Sequence, residues 1–179
     1  YLNFKPKETV DAVLEDAAEM GLKVVRTWGN LDAGVKTDKV SDKGYTVFTD
    51  SVDGSGEKEG VYYQYFDADL GRPVVNEGED GLQKLDYALY KAEQEGIKLL
   101  ITFTNNWEAF GGMGQYVQWA KLAGENVSGH DDFYTNETIK GWYKDYIKTL
   151  LNHENVYTGV KYKDDPTIFS WELANEPRC

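Results

Sequence analysis

Apolar side chains along this chain recur with two different periods. Between residues 9 and 20, Val10, Val13, Leu14, Ala17 and Ala18 follow the three- and four-residue spacing of one helix face, and Gly21 stands where a helix C-cap belongs. The next run, 22–28, is short, rich in β-branched residues and bounded by glycine, which predicts a strand. The same alternation returns twice. Leu82, Leu85, Leu89 and Ala92 stripe a second helix closed by Gly96, and 97–104 is a second apolar strand. Ile139, Trp142, Tyr143, Tyr146, Ile147, Leu150 and Leu151 stripe a third helix, and after a loop 167–173 is a third strand.

A helix followed by a near-continuous apolar strand, three times over, is the pattern of βαβ units whose parallel sheet is covered by helices. The expected class is therefore α/β. Residues 29–81, rich in Gly, Asp and Tyr and weak in periodicity, follow a strand end and read as one long βα loop on the face where such folds bind substrate. A closed (β/α)8 barrel, a doubly wound open sheet and a smaller α/β layer all fit this linear pattern. A complete barrel typically takes about 250 residues, so a chain of 179 is either a smaller fold or part of a barrel. Gly111-Gly112-Met113-Gly114 follows a strand but has neither the P-loop lysine nor the dinucleotide spacing, which speaks against a nucleotide site.

Composition narrows the partners. The 31 acidic against 19 basic residues give a formal charge of −12, which repels nucleic-acid phosphates and anionic lipid alike. No apolar run reaches the roughly 20 residues of a membrane span, and the first residues do not form a signal peptide. Two sequons, at Asn126 and Asn136, lie in a polar stretch and favour a secreted glycoprotein. Cys179, the single cysteine, is expected to pair with a cysteine beyond this sequence. His130 and His153 stand in polar surroundings and read as solvated; no His, Cys, Asp or Glu cluster has metal-ligand spacing, so neither a metal nor another cofactor is expected. Aromatic residues make up 14% of the chain, more rings than a core of this size needs, which points to a surface that grips something flat.

All three predicted strands end on chemically unusual groups: Arg26-Thr27-Trp28-Gly29-Asn30, Asn105-Asn106-Trp107, and Glu172-Leu173-Ala174-Asn175-Glu176-Pro177. Each has a structural reading by itself. Arg26 could be an ion-pair partner, the asparagines helix caps, and Trp28, Trp107 and Trp171 core rings. Their repetition at equivalent places favours one shared site, because the C-terminal ends of parallel strands gather on one face. If the third strand stays regular, residues 172, 174 and 176 share a side, which would put Glu172 below the site as a structural acid.

A hydrophobic strand ending in Asn175-Glu176-Pro177, with Trp171 five residues before Glu176, resembles glycoside hydrolase family 5, and within it the eukaryotic endo-β-1,4-mannanase branch. Gly21 to Trp28 is similar to that branch's second strand, Asn105 to Gly112 with Gln115 to Trp119 to its third strand and loop, and Tyr162 to Cys179 to its fourth strand. The resemblance implies a (β/α)8 barrel of which 1–179 is a single partial catalytic domain, roughly strands 2 to 4, cut at both ends. It implies Glu176 as acid/base, Asn175 as partner of the sugar 2-hydroxyl and Arg26 as support for the nucleophile, with Trp107, Asn106 and Trp28 lining the sugar cleft. It also implies that the nucleophile is a second glutamate in the missing C-terminal half of the barrel.

Retaining glycoside cleavage fits those residue types, since it needs two carboxyl groups about 5 Å apart, one attacking and one protonated. The expected activity is hydrolysis of mannan, glucomannan or galactomannan. A β-glucanase built on the same machinery and an inactive carbohydrate-binding barrel are the rival readings, separated by activity on mannan against cellulose and by the sequence beyond residue 179.

Overall fold

A computed structural model describes residues 2–178. Helix α1 (Lys7–Glu19) opens behind Pro6, whose missing N–H costs nothing at a helix start, and ends at Met20 before Gly21 turns the chain with φ 80°. Strand β1 (Val24–Trp28) follows. Helix α2 (Gln83–Gln94) leads through Gly96 into β6 (Lys98–Thr102), and α5 (Glu137–Asn152) leads through a 3-10 turn at Tyr162–Asp164 into β7 (Ile168–Glu172). The three helix–strand units expected from periodicity are all present, with ends within a few residues of the expected ones.

The strands pair in parallel in the order β1-β6-β7. Trp28 lies level with Thr102, and Thr102 with Glu172, so the three strands finish together. That register decides where chemistry can occur. Leu14 from α1, Leu85 and Leu89 from α2, and Leu99 and Ile101 from β6 are at most 1% exposed and form the main core. Burying each contributes about 1.5–3 kcal/mol relative to an exposed side chain.

The region 29–81 is not a loop. It forms a second sheet, in the order β3-β2-β4-β5, from β2 (Asp32–Val40), β3 (Thr46–Thr49), β4 (Gln64–Asp67) and β5 (Arg72–Val75). Three of these strands have only four residues, and the outer half of β2 is Lys36, Thr37, Asp38 and Lys39. Short, mostly polar strands with one wet face leave no apolar run to detect. Gly34 interrupts β2 for a steric reason: a Cβ there would sit 1.9 Å from the Thr49 carbonyl oxygen.

Helix α3 (Gly112–Leu122) and the short α4 (Asp132–Thr135) lie between the second and third of the helix–strand units. α3 carries Met113, Tyr116, Val117, Trp119 and Ala120 into a second core with Phe66 and Ile139. Trp119 is fully buried and donates its indole N–H to the Ala33 carbonyl at 3.0 Å, tying α3 to β2. The start of α3 is sealed by Asp32, 4% exposed, which accepts from Gly112 N at 3.1 Å, Asn30 at 3.1 Å and Gln64 at 2.8 Å. Gly112 has φ 58°, and a Cβ on it would meet the Asn105 carbonyl oxygen at 2.3 Å. The glycine run after Phe110 is thus a helix entry packed against the second strand end.

His153 is a further correction. It is 6% exposed, not solvated, and lies between the Glu77 carboxylate at 2.7 Å and the Asp86 carboxylate at 2.9 and 3.1 Å. Its partners stand 76 and 67 residues away in sequence, out of reach of any local pattern. Among the described residues no helix is long and apolar enough to cross a membrane. Cys179 and its expected disulfide lie outside the described residues.

Candidate active site

The upper ends of β1, β6 and β7 converge through side chains. Arg26 donates from Nε and Nη2 to one Glu172 oxygen, at 2.9 and 2.6 Å, and from Nη2 to Asn175 Oδ1 at 2.9 Å. Asn175 in turn donates to Asn105 Oδ1 at 2.9 Å. Below these contacts the chain after β6 and the chain after β7 remain paired, with Asn175 N donating to Thr104 O at 2.9 Å and Asn106 N to Asn175 O at 3.0 Å. Arg26, Glu172, Asn175 and Asn105 therefore form one network spanning three strand ends. Glu172, the last residue of β7, serves as Arg26's ion-pair partner.

Glu176 departs from strand alternation. β7 stops at Glu172, and Glu176 takes φ 47°, the left-handed region that costs a non-glycine residue energy and recurs at functional positions. Its side chain is 53% exposed and accepts at Oε2 from Trp107 Nε1 at 3.0 Å and from Arg178 Nη2 at 3.2 Å. The Arg178 guanidinium lies 5.2 Å from the Trp107 ring centre, within cation–π range. Trp107 is 48% exposed, so a large ring stands open to solvent beside a carboxylate. Asn106, Trp107, Glu108, His130, Asp131 and Arg178 line an open depression of about 530 Å³ there.

The other expected site residues divide. Trp28 contacts Phe110 at 5.3 Å and lies under Arg26 at 5.5 Å, flanking the network. Asn106 is 7% exposed, and its Oδ1 accepts from Arg178 N at 3.2 Å while its carbonyl accepts from His130 Nε2 at 2.8 Å. It lines the depression and through these bonds fixes two of the other residues there. Trp171 stacks on Phe103, ring centres 4.6 Å apart, and contributes to the core margin. His130 also reaches Asp131 at 3.0 Å, so this histidine too is held rather than free. Neither Arg178 nor His130 was expected at the site: His130 was read as solvated, and adjacency to Glu176 was the only signal for Arg178.

The two sequons differ. Asn126 is exposed in the loop after α3, whereas Asn136 caps α5, accepting from Ile139 N at 3.0 Å and donating to Glu125 at 3.2 Å. Among the described residues no group of three or more His, Cys, Asp or Glu side chains is arranged to hold a metal ion.

Comparison with known proteins converges on one group. The family described as GH family 5 beta-mannosidase-like matches residues 54–179. The chain belongs to this family. It is 39% identical over 173 residues to mannan endo-1,4-beta-mannosidase 7 of Arabidopsis thaliana, covering 97% of this chain and 33% of that protein. It is 41% identical over 167 residues to mannan endo-1,4-beta-mannosidase 3 of the same plant, covering 93% and 33%. Among solved structures, the endo-1,4-beta-mannanase of Rhizomucor miehei superposes with a TM-score of 0.79 at 40% identity, over 100% of this chain and 42% of that one. The chain spans about a third of the length of the curated relatives it matches.

Proposed function

We propose that this chain is the acid/base half of a secreted endo-β-1,4-mannanase, a retaining glycoside hydrolase acting on mannan, glucomannan or galactomannan. One observation carries the reading: the ends of three parallel strands share the Arg26–Glu172–Asn175–Asn105 network, and Glu176 stands in the open beside it under the Trp107 indole. The parallel sheet with its helices then corresponds to about three βα units of a (β/α)8 barrel, with the site at the C-terminal strand ends. The names of the relatives supply the sugar.

In this reading Glu176, protonated, gives its proton to the glycosidic oxygen as the bond to the anomeric carbon breaks. A second glutamate, supplied by the remaining part of the barrel, attacks that carbon and forms a glycosyl-enzyme. Glu176, now a carboxylate, takes a proton from the water that releases the sugar and is restored. Asn175 hydrogen-bonds the 2-hydroxyl of the reacting sugar, Arg26 holds Asn175 and Glu172 and supports the nucleophile, and Trp107 offers a flat face to a neighbouring sugar ring, with Trp28 and Asn106 behind. Asn126, exposed and free of a capping role, is the better glycan acceptor of the two sequons.

The test is Glu176→Gln in the full-length protein. The carboxamide keeps the shape without the proton, so turnover of polymeric mannan should fall by about 100- to 10,000-fold while binding of manno-oligosaccharide persists. Unchanged turnover would refute the assignment. Wild-type activity on cellulose in place of mannan would move the substrate class to β-glucan.

A further inference from the structure

The chemistry of donors and acceptors around Asn175 leaves its amide only one orientation. A guanidinium can only donate, so the Asn175 atom facing Arg26 Nη2 at 2.9 Å must be its oxygen. Nδ2 therefore faces Asn105, 2.9 Å away, and the Asn105 atom receiving it must be an oxygen too. Two independent contacts fix Asn105 the same way round. The Trp107 backbone N–H, which can only donate, reaches Asn105 Oδ1 at 3.2 Å, and Asn105 Nδ2 donates to the Ala109 carbonyl, which can only accept, at 3.1 Å. Asn105 is 2% exposed, and its own carbonyl accepts from Met113 N at 2.8 Å at the start of α3. It has no face to offer a substrate.

We propose that Asn105 is a positioning residue for the reaction: its buried carboxamide oxygen sets both the amide of Asn175 and the backbone of Trp107, the residue whose indole holds Glu176. The proposal rests on the mannanase reading above and names a residue to which that reading gives no role. With one Nδ2 hydrogen held by Asn105 and the oxygen held by Arg26, Asn175 presents its second Nδ2 hydrogen, so it acts on the sugar hydroxyl as a donor. The same Asn105 oxygen anchors the main chain of Trp107, whose indole holds Glu176. One buried group thus positions Asn175 and, through Trp107, the proton donor, and an error of about 1 Å in such a constellation can cost a hundredfold in rate.

The experiment is a double-mutant cycle in the full-length protein on a soluble manno-oligosaccharide, comparing wild type, Asn105→Ala, Asn175→Ala and the double variant. Asn105→Ala is expected to lower kcat by about ten- to a hundredfold with KM changed less than threefold. The double variant should fall below Asn175→Ala by clearly less than the full Asn105→Ala factor, because the part of that effect carried by Asn175 is already gone and only the Trp107 anchor is left to lose. A purely structural role would leave kcat per folded molecule unchanged, and an independent role would make the two losses multiply; either result overturns the proposal. If Asn105→Ala does not fold, Asn105→Asp decides, since it keeps an oxygen toward Asn175 and Trp107. Activity within about tenfold of wild type supports the proposal, and a loss as large as that of Asn175→Ala overturns it. A wild-type protein inert on mannans would instead refute the function, which the cycle does not touch.

Discussion

Two of the clusters that join carboxylates to cations among the described residues are built from similar groups for opposite ends. At the strand ends, Arg26, Glu172, Glu176 and Arg178 keep between a third and two thirds of their side-chain surface open. Behind α2, Asp86 is 0% and His153 6% exposed, and every oxygen of Asp86 is occupied: by His153, by Tyr162 OH at 2.6 Å and by Val156 N at 3.3 Å, while its main-chain carbonyl takes Asn155 at 3.0 Å. The first cluster keeps lone pairs and room for a ligand. In the second, the buried Asp86 carboxylate is fully taken up by the 153–162 segment that leads into β7. The difference separates the proposed active site from a cluster that holds the strand leading to it.

Deleting the centre of each cluster gives the largest separation. Asp86→Ala leaves His153, Tyr162 OH and Val156 N without their buried partner, a loss of about 3–5 kcal/mol, while the molecules that remain folded should keep their turnover. Arg26→Ala removes the side chain that holds both Glu172 and Asn175. It should lower kcat by about 100- to 1,000-fold, because it frees Asn175 and Glu172 together. Urea titration and initial rates on the same preparations check both. An Asp86→Ala protein of wild-type stability would show that the sealed cluster is not what holds the segment.

A smaller effect follows from protonation alone. Burial by itself would lower the His153 pKa, but Asp86 and Glu77, hydrogen-bonded to its two ring nitrogens, together raise it above 6.5. Geometry agrees, since a neutral imidazole would turn a lone pair toward one of the carboxylates. A group whose folded pKa is raised contributes stability below its unfolded pKa and loses it as pH climbs through the folded one. Burial likewise pushes Asp32 up to about 7, against the hydrogen bonds from Gln64, Asn30 and Gly112, so it acts in the same direction between its ordinary 3.8 and 7. Thermal unfolding midpoints should therefore fall as pH rises toward neutrality. His153→Gln should flatten the part of that slope that begins near pH 6.5 and leave the part below it; a slope that survives the substitution unchanged would assign it elsewhere.

How much of this was legible beforehand follows the same division. Near-continuous apolar strands such as Leu99, Leu100 and Ile101 declare a buried parallel sheet in their own sequence, and strand ends in such a sheet must meet, so Arg26, Asn175 and Glu176 could be placed together from spacing alone. The second sheet was hidden because its strands are short and polar and gain their pairing from one another rather than from a local run. The sealed cluster was hidden because burial of His153 depends on Asp86 and Glu77 arriving from another element. Left-handed Glu176 was invisible for a third reason: nothing in a sequence shows a residue held in a conformation it disfavours.

The finest test removes a single donor to a carboxylate in each setting. Trp107→Phe keeps a ring beside the depression and deletes the indole N–H that reaches Glu176 Oε2 at 3.0 Å. Tyr162→Phe keeps a ring in the core and deletes the hydroxyl that reaches Asp86 Oδ1 at 2.6 Å. A hydrogen bond to a charged group is worth about 1.5 kcal/mol or somewhat more, which corresponds to roughly tenfold in an equilibrium or a rate. In the open cluster water replaces the lost donor in the resting protein, so stability should hold, and the roughly tenfold should appear in kcat, where Glu176 must be aimed at the leaving oxygen. In the sealed cluster no water reaches Asp86, so Tyr162→Phe should lower unfolding stability by about 1.5 kcal/mol and leave kcat alone. Both variants are measured by denaturant unfolding and by rates on manno-oligosaccharide. If Trp107→Phe costs stability and spares the rate, the indole belongs to the scaffold, and the open cluster loses the feature that distinguishes it from the one behind α2.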